Sequence, residues 1–266
     1  MELLDYLLAA ELVADERAGR GLILRGDVLV NERPVTSPRA QVPAEAVVRL
    51  RRAAAETELR GARKLRPVAE TLGFDCSGKV CLDLGVGSGG FTQVLLERGA
   101  LRVYAVDVAY GMVALTIRGD PRVILRERTN ARLLSRREVP EDIERAVGDL
   151  SFISWAAVLP AVAGLLAPQA ELLLLVKPQF ELAARGRGGM LAAGLVRDME
   201  AVRDSLASLY NTWQAHGLSP QAVRPAAVRG AKGNQEYFVH LKHGKAPPGE
   251  QAYGALCAAA LAEAAP

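Results

Sequence analysis

The chain has 266 residues, half of them hydrophobic and about a quarter charged, with a net charge of +3. That balance supplies one sizeable core plus a small extra module, and the mildly basic charge is compatible with nucleic acid without deciding for it. The three cysteines follow no metal-binding or disulfide spacing, which predicts free thiols in a reducing cytoplasm and no metal site.

The N-terminus, M-E-L-L-D-Y-L-L, has an early acid and no basic region, so it is not a secretory signal. Leu3, Leu4, Leu7 and Leu8 form an amphipathic stripe. A second helix is expected over about 15–24, with Asp15 as its N-cap. Val28 to Val30, a turn at Asn31-Glu32 and Val35 onward read as a hairpin, and Val47, Val48 and Leu50 as another strand. Arg51 to Ala62 is a charged, Ala-rich connector, after which Lys64 to Leu72 reads as a helix. A lysine at a helix start opposes the macrodipole, so Lys64 is expected to have another task.

The stretch Val80 to Asp107 organises the rest. It reads as a strand carrying Asp83, a turn with Gly85, Gly87, Ser88, Gly89 and Gly90, a helix from Phe91 stopped by Gly99, and a strand ending in Asp107. This is the first half of a nucleotide-binding α/β sheet. Gly85, Gly87 and Gly90 fit G-x-G-x-x-G, which keeps an NAD-dependent oxidoreductase open. Asp83 directly before the turn argues instead for D-x-G-x-G-x-G-G, a pattern that resembles the first motif of S-adenosylmethionine-dependent methyltransferases.

Tyr110 to Ile117 is expected as a second crossover helix and Arg122 to Leu125 as a third strand. Asn130 follows, placed to meet an adenine edge or to serve as a turn residue. A fourth strand, Arg145 to Leu150, carries Asp149 at its carboxyl end, where ligands gather in open α/β sheets. A helix over Trp155 to Leu166, closed by Pro168, leads to the apolar run Glu171 to Val176. That run is a central strand buried on both faces, far too short to span a bilayer. Lys177 follows it directly, with Glu181 near enough for a local pair. Gly186 to Gly194 reads as a loop over the site, Val196 to His216 as one long helix, and Gln221 to Val228 and Tyr237 to Leu241 as the last strands. Glu236 opens the final strand. Residues 245–266 form a tail, either a short helix or disordered.

The N-terminal pattern of two small helices and a hairpin with G-x-V-x-V-N resembles the S-four-type RNA-binding domain. Leu3 and Asp15-Glu16 stand where that family carries basic residues, and Arg17, Arg20, Arg25, Arg33 and Arg39 are candidates to restore phosphate contacts. The motifs D-L-G-V-G-S-G-G-F-T, D-L-S-F-I-S, L-V-K-P-Q-F-E and G-N-Q-E-Y-F together resemble the TlyA family. Its members join such a domain to a methyltransferase domain like that of FtsJ, a ribosomal RNA methyltransferase. The family's R-G-G-x-K-L stands here as R-G-A-R-K-L, with Ala62 in place of a glycine and Lys64 kept.

The resemblance implies a Rossmann-like methyltransferase with a mostly parallel seven-stranded sheet, preceded by a small α+β domain. The expected organisation is an RNA-binding domain over 1–52, a linker over 53–63, a catalytic domain over 64–244 and the tail. The implied activity is 2′-O-methylation of ribose in ribosomal RNA or ribosomal subunits, with S-adenosylmethionine and without metal or membrane. The family's Lys-Asp-Lys-Glu tetrad maps onto Lys64, Asp149, Lys177 and Glu236. Lys177 is assigned to take the hydroxyl proton or steer the oxygen, Asp149 to orient it, Lys64 to hold Asp149 ionised, and Glu236 to position Lys64 or the hydroxyl. The cofactor set is Asp83, Gly85, Gly87, Ser88, Gly89, Gly90, Phe91, Asp107 and Asn130. The rivals are a non-catalytic RNA-binding protein, the NAD-dependent oxidoreductase, and a pore-forming protein, a label some relatives carry.

Overall fold

A computed structural model describes residues 1–9, 13, 16–24, 26–31, 33–43, 46–50, 59–188, 194–230 and 232–264. The chain divides into one compact unit over Met1–Glu58 and another over Leu59–Pro266.

In the first unit, α1 (Leu3–Ala9) and α2 (Glu16–Leu24) accompany β1 (Val28–Val30), β2 (Arg33–Pro34) and β3 (Val48–Leu50). The strands form an antiparallel sheet in the order β2-β1-β3. Leu3, Leu4 and Leu7 bury their stripe against Ile23, Val28 and Val42. The hairpin turns at Asn31, whose φ of 50° lies in the left-handed region that asparagine tolerates. Its side-chain oxygen accepts from the Val47 N–H at 2.9 Å, tying β3 to the turn. The expected N-cap Asp15, and the Glu32 half of the turn, lie outside the described residues.

The second unit runs α3 (Arg60–Thr71), β4 (Val80–Leu84), α4 (Gly90–Glu97), β5 (Arg102–Val106), α5 (Leu115–Arg118), β6 (Val123–Arg126), β7 (Ile143–Gly148), α6 (Leu159–Ala163) and β8 (Leu166–Val176). It continues with α7 (Pro178–Ala184), α8 (Met199–Ala207), α9 (Tyr210–Ala215), β9 (Leu218–Pro225), β10 (Tyr237–His243) and α10 (Glu250–Glu263). The seven-stranded sheet has the order β6-β5-β4-β7-β8-β10-β9. Neighbouring strands from β4 to β8 pair in parallel, and β10 is antiparallel to both β8 and β9. The mostly parallel α/β sheet expected from the sequence is therefore present. β8 is buried on both sides: Leu172, Leu174 and Val176 face one cluster, Leu173 and Leu175 the other. The chain leaves β4 toward β5 and β6, then returns to β7 on the other side. The carboxyl ends of β4 and β7 thus flank a topological switch point, where such sheets bind ligands.

Several boundaries differ from the sequence expectation. The helix expected from Lys64 begins at Arg60, so 60–63 are helical and not linker. The Leu59 N–H finds its acceptor in the Gln93 side chain of α4 at 3.3 Å, which anchors the earlier start. Lys64 thus sits a turn inside α3, and the helix-dipole argument for it does not apply. The helix over Tyr110 to Ile117 shrinks to Leu115–Arg118, since Gly111 at φ 75° and the Asp107 side chain, accepting from Ala109 N–H, hold the preceding loop. Pro168 does not close a helix but lies within β8. There the pairing with β7 shifts register between Ile143 and Arg145, a bulge that tolerates the missing N–H. The long helix over 196–216 breaks at Ser208 and Leu209. The Ser205 and Ser208 hydroxyls bond back to Val202 and Ser205 carbonyls, competing with the helix ladder. The tail forms α10, which buries Tyr253, Cys257 and Ala260 in the core.

α3 meets α4 at Gly61 and Gly90, where a Cβ on Gly90 would lie 2.7 Å from both the Ala62 nitrogen and the Gly61 Cα. That approach fixes the height at which α3 delivers Lys64. Gly90→Ala should push α3 outward and destabilise the protein by about 1–3 kcal/mol, read as a lower urea midpoint at unchanged slope.

Candidate active site

A cavity of about 890 Å³ opens at the carboxyl ends of β4, β7 and β8. Backbone from the glycine turn forms one wall, with Gly85, Gly87, Ser88, Gly90 and Phe91. Lys64, Asp149, Lys177 and Glu236 form its floor. Gly85 has φ 83°, and a Cβ there would meet the Asp149 carbonyl oxygen at 2.8 Å, so glycine alone lets the turn close over β7.

The structure brings the four charged residues into one chain of ion pairs. Lys64 Nζ lies 2.7 Å from Glu236 Oε2 and 3.2 Å from Asp149 Oδ2. Lys177 Nζ lies 2.6 Å from the other oxygen, Asp149 Oδ1, and donates to Ser151 Oγ at 2.9 Å. Lys64 is 6% exposed, Lys177 8% and Glu236 2%, so these charges stand largely out of water and must satisfy one another. The local Lys177–Glu181 pair does not form. Glu181 instead accepts from the Ser154 hydroxyl and from Trp155 N–H at 3.0 Å, and burial pushes its carboxyl above the ordinary range.

The expected cofactor residues divide. Asp83 does not line the cavity: it is fully buried behind the turn, and its Oδ2 accepts from Thr92 Oγ1 at 2.6 Å. Asp107 accepts from Gly87 N–H and Ala109 N–H, both at 2.8 Å. Gly89 packs against Ile117. Asn130 caps the turn at Ala131, accepting from Arg132 N–H at 3.1 Å. The turn suits a ligand without phosphates. The N–H groups of Gly85 and Val86 are taken by the Val106 carbonyl, that of Gly87 by Asp107 and that of Gly89 by the Val86 carbonyl. Asp107 and Asp149 flank the turn with carboxylates, a setting that opposes a pyrophosphate and favours a cationic group.

Sequence reasoning passed over Ser151, Phe152, Phe180 and Asn234, which also line the cavity. Phe152 is 90% exposed at a left-handed φ of 63°, its ring 4.9 Å from that of Phe180. A left-handed φ on an exposed aromatic is a strained arrangement. The motif D-L-S-F, directly after Asp149, was the signal. Of the proposed RNA contacts in the first unit, Arg20 pairs with Glu16 at 3.6 Å and Arg33 is exposed on β2. Arg39 is exposed as well. Arg25 and the Arg17 side chain lie outside the described residues.

Burial raises the Asp83 carboxyl from 3.8 to about 7. The folded state then holds a proton that the unfolded chain releases near pH 4. Asp83 therefore contributes stability at low pH that is lost as pH rises from about 4 to about 7. Asp83→Asn should remove that loss: against wild type, the variant gains stability between pH 5 and pH 8 in paired denaturation curves.

The model of the FtsJ-like methyltransferase family matches residues 58–243. The chain belongs to the FtsJ-like methyltransferase family. It groups with the TlyA proteins: it is 42% identical over 183 residues to the 16S/23S rRNA (cytidine-2′-O)-methyltransferase TlyA of Mycobacterium tuberculosis, a match covering 69% of this chain and 67% of that protein. Hemolysin A of Brachyspira hyodysenteriae is 29% identical over 249 residues, covering 91% of this chain and 99% of the relative. A solved hemolysin-named structure from Streptococcus thermophilus superposes with a TM-score of 0.71 at 25% identity, covering 99% of this chain and 96% of that one. Among the described residues, no helix of this FtsJ-like protein is long and apolar enough to cross a membrane.

Proposed function

We propose that this enzyme methylates a ribose 2′-hydroxyl of ribosomal RNA with S-adenosylmethionine as donor. The observation that carries the reading is the buried chain Glu236–Lys64–Asp149–Lys177 on the floor of a cavity walled by the glycine turn. Relatives named as ribosomal RNA 2′-O-methyltransferases support the substrate. When bound, S-adenosylmethionine supplies an electrophilic methyl group on a positively charged sulfur.

The remaining chemistry belongs to the side chains. Gly85, Gly87 and Ser88 would border the methionine end, and Asp107 would face the cofactor ribose. A ribose hydroxyl is a poor nucleophile until its proton has somewhere to go. The two lysines differ in what surrounds them. Lys64 lies between two carboxylates, Glu236 and Asp149, which hold it from both sides. Lys177 shares one carboxylate, donates to the neutral Ser151 hydroxyl and lies 5.7 Å from the centre of the Phe180 ring. Lys177 is therefore the proton acceptor. As the hydroxyl oxygen takes the methyl group that the bound donor would supply, its proton would pass to Lys177 Nζ. Asp149 orients that amine, and Lys64 with Glu236 holds Asp149 in place. In-line alignment contributes much of the acceleration. The exposed Phe152 ring at the cavity mouth offers a stacking face for an unpaired base.

The test is methyl transfer from labelled S-adenosylmethionine to bacterial ribosomal subunits lacking native 2′-O modifications. Label recovered in a 2′-O-methylated nucleoside is the expected result. Label on a base, or none from a preparation that binds the cofactor, rejects the proposal.

A further inference from the structure

We infer that Ser151 is a positioning residue that aims the Lys177 amine at the substrate hydroxyl because it is a hydrogen-bond acceptor without charge. The inference rests on the reading of Lys177 as proton acceptor and adds the group that makes that role workable.

A neutral lysine amine has two N–H groups and one lone pair, and an ammonium has three N–H groups. Lys177 Nζ is ion-paired with Asp149 Oδ1 at 2.6 Å in a geometry that makes no hydrogen bond, and it donates a hydrogen bond to Ser151 Oγ at 2.9 Å. The ion pair holds the amine beside Asp149 without fixing its rotation, and the Ser151 hydrogen bond fixes the direction of one N–H. With that N–H held on Ser151, the lone pair is free to face the cavity that Lys177, Asp149 and Ser151 all line. With Asp149 alone, the amine rotates about one contact and its lone pair has no fixed direction. Ser151 therefore converts a paired lysine into an aimed one.

The charge of that acceptor matters as much as its position. The ionisable groups around Lys177 come from several elements. Asp149 follows β7, Lys64 and Arg60 lie on α3, and Glu236 and Lys232 precede β10. Glu181 on α7 turns away to Ser154 and Trp155. Within this set Glu236 is committed to Lys64, and Asp149 is divided between the two lysines. A second carboxylate at position 151 would give Lys177 the surroundings of Lys64 and hold the proton on. A hydroxyl fixes direction without that cost. Ser151 is exposed and lies just past the end of β7, so its substitution leaves the packed core untouched.

The experiment compares full-length wild type, Ser151→Ala, Ser151→Thr and Ser151→Asp in methyl transfer to unmodified ribosomal subunits across pH 6 to 10. Melting curves run alongside. Ser151→Ala should lose about 10- to 100-fold in kcat, the scale of a misaimed reacting group, with KM for RNA within about twofold of wild type. Ser151→Thr keeps the hydroxyl and should stay within about threefold of wild type. Ser151→Asp should displace the rate profile to higher pH by about one unit or more, because an added anion within 4–6 Å favours the ammonium. An alanine variant with wild-type kcat overturns the inference. So does a threonine variant as poor as alanine, or an aspartate variant that is silent at every pH or has an unmoved profile. A wild type that transfers no methyl rejects the methyl-transfer reading itself, and the inference falls with it.

Discussion

Lys177→Ala should abolish methyl transfer to ribosomal RNA, lowering kcat by about 10²–10⁴-fold, the range for loss of a positioned general base. Cofactor binding should stay near wild type, because the glycine turn that walls the other side of the cavity is untouched. Stability should change little: Asp149, freed of Lys177, keeps Lys64 at 3.2 Å. The sharper variant is Lys177→Arg. An arginine preserves the positive charge beside Asp149 but stays protonated at any working pH, so it can steer the oxygen and cannot take its proton. Single-turnover transfer with both variants separates the roles. If Lys177→Arg retains a tenth or more of the wild-type rate, Lys177 acts by electrostatic steering and the proton leaves by another route.

The reach of the sequence follows from the range of the forces involved. The glycine turn, its flanking strands and the buried run of β8 were readable because each depends on neighbours in the chain. The short apolar run of β4 and the continuous apolar stretch of Leu172 to Val176 are each contiguous in the chain. Boundaries set by distant partners were not readable. α3 starts four residues early because Gln93, on another helix, accepts the Leu59 N–H, and because Gly61 and Gly90 touch. β8 runs through Pro168 because β7 leaves a register shift opposite it. The break after α8 depends on serine hydroxyls competing for local carbonyls. In the site, residue types at strand ends picked out Lys64, Asp149, Lys177 and Glu236. Spacing could not say that one carboxylate bridges both lysines, nor that Asp83 is walled off behind the turn. Ser151 escaped notice because a serine after a strand is ordinary until a lysine 26 residues later lands on it.

Lys64→Met should destabilise the protein by about 3–5 kcal/mol, because it removes one partner from a buried ion pair and leaves the other. Glu236, 2% exposed, then faces no cation at 2.7 Å, and Asp149 keeps only Lys177. The loss measures an uncompensated charge and says nothing yet about catalysis. Glu236→Gln should cost less alone, since Lys64 retains Asp149 at 3.2 Å. The double variant Lys64→Met, Glu236→Gln decides the matter. With both buried charges gone, most of the stability lost in Lys64→Met should return, a coupling that a double-mutant cycle in urea reads directly. Methyl transfer should not return with it. Asp149 would still lack the cation that holds its second oxygen, and Lys177 would hang from a carboxylate free to swing. A double variant that recovers both stability and rate would make the Lys64–Glu236 pair a structural strut, and would leave Asp149 and Lys177 as the whole of the proton machinery.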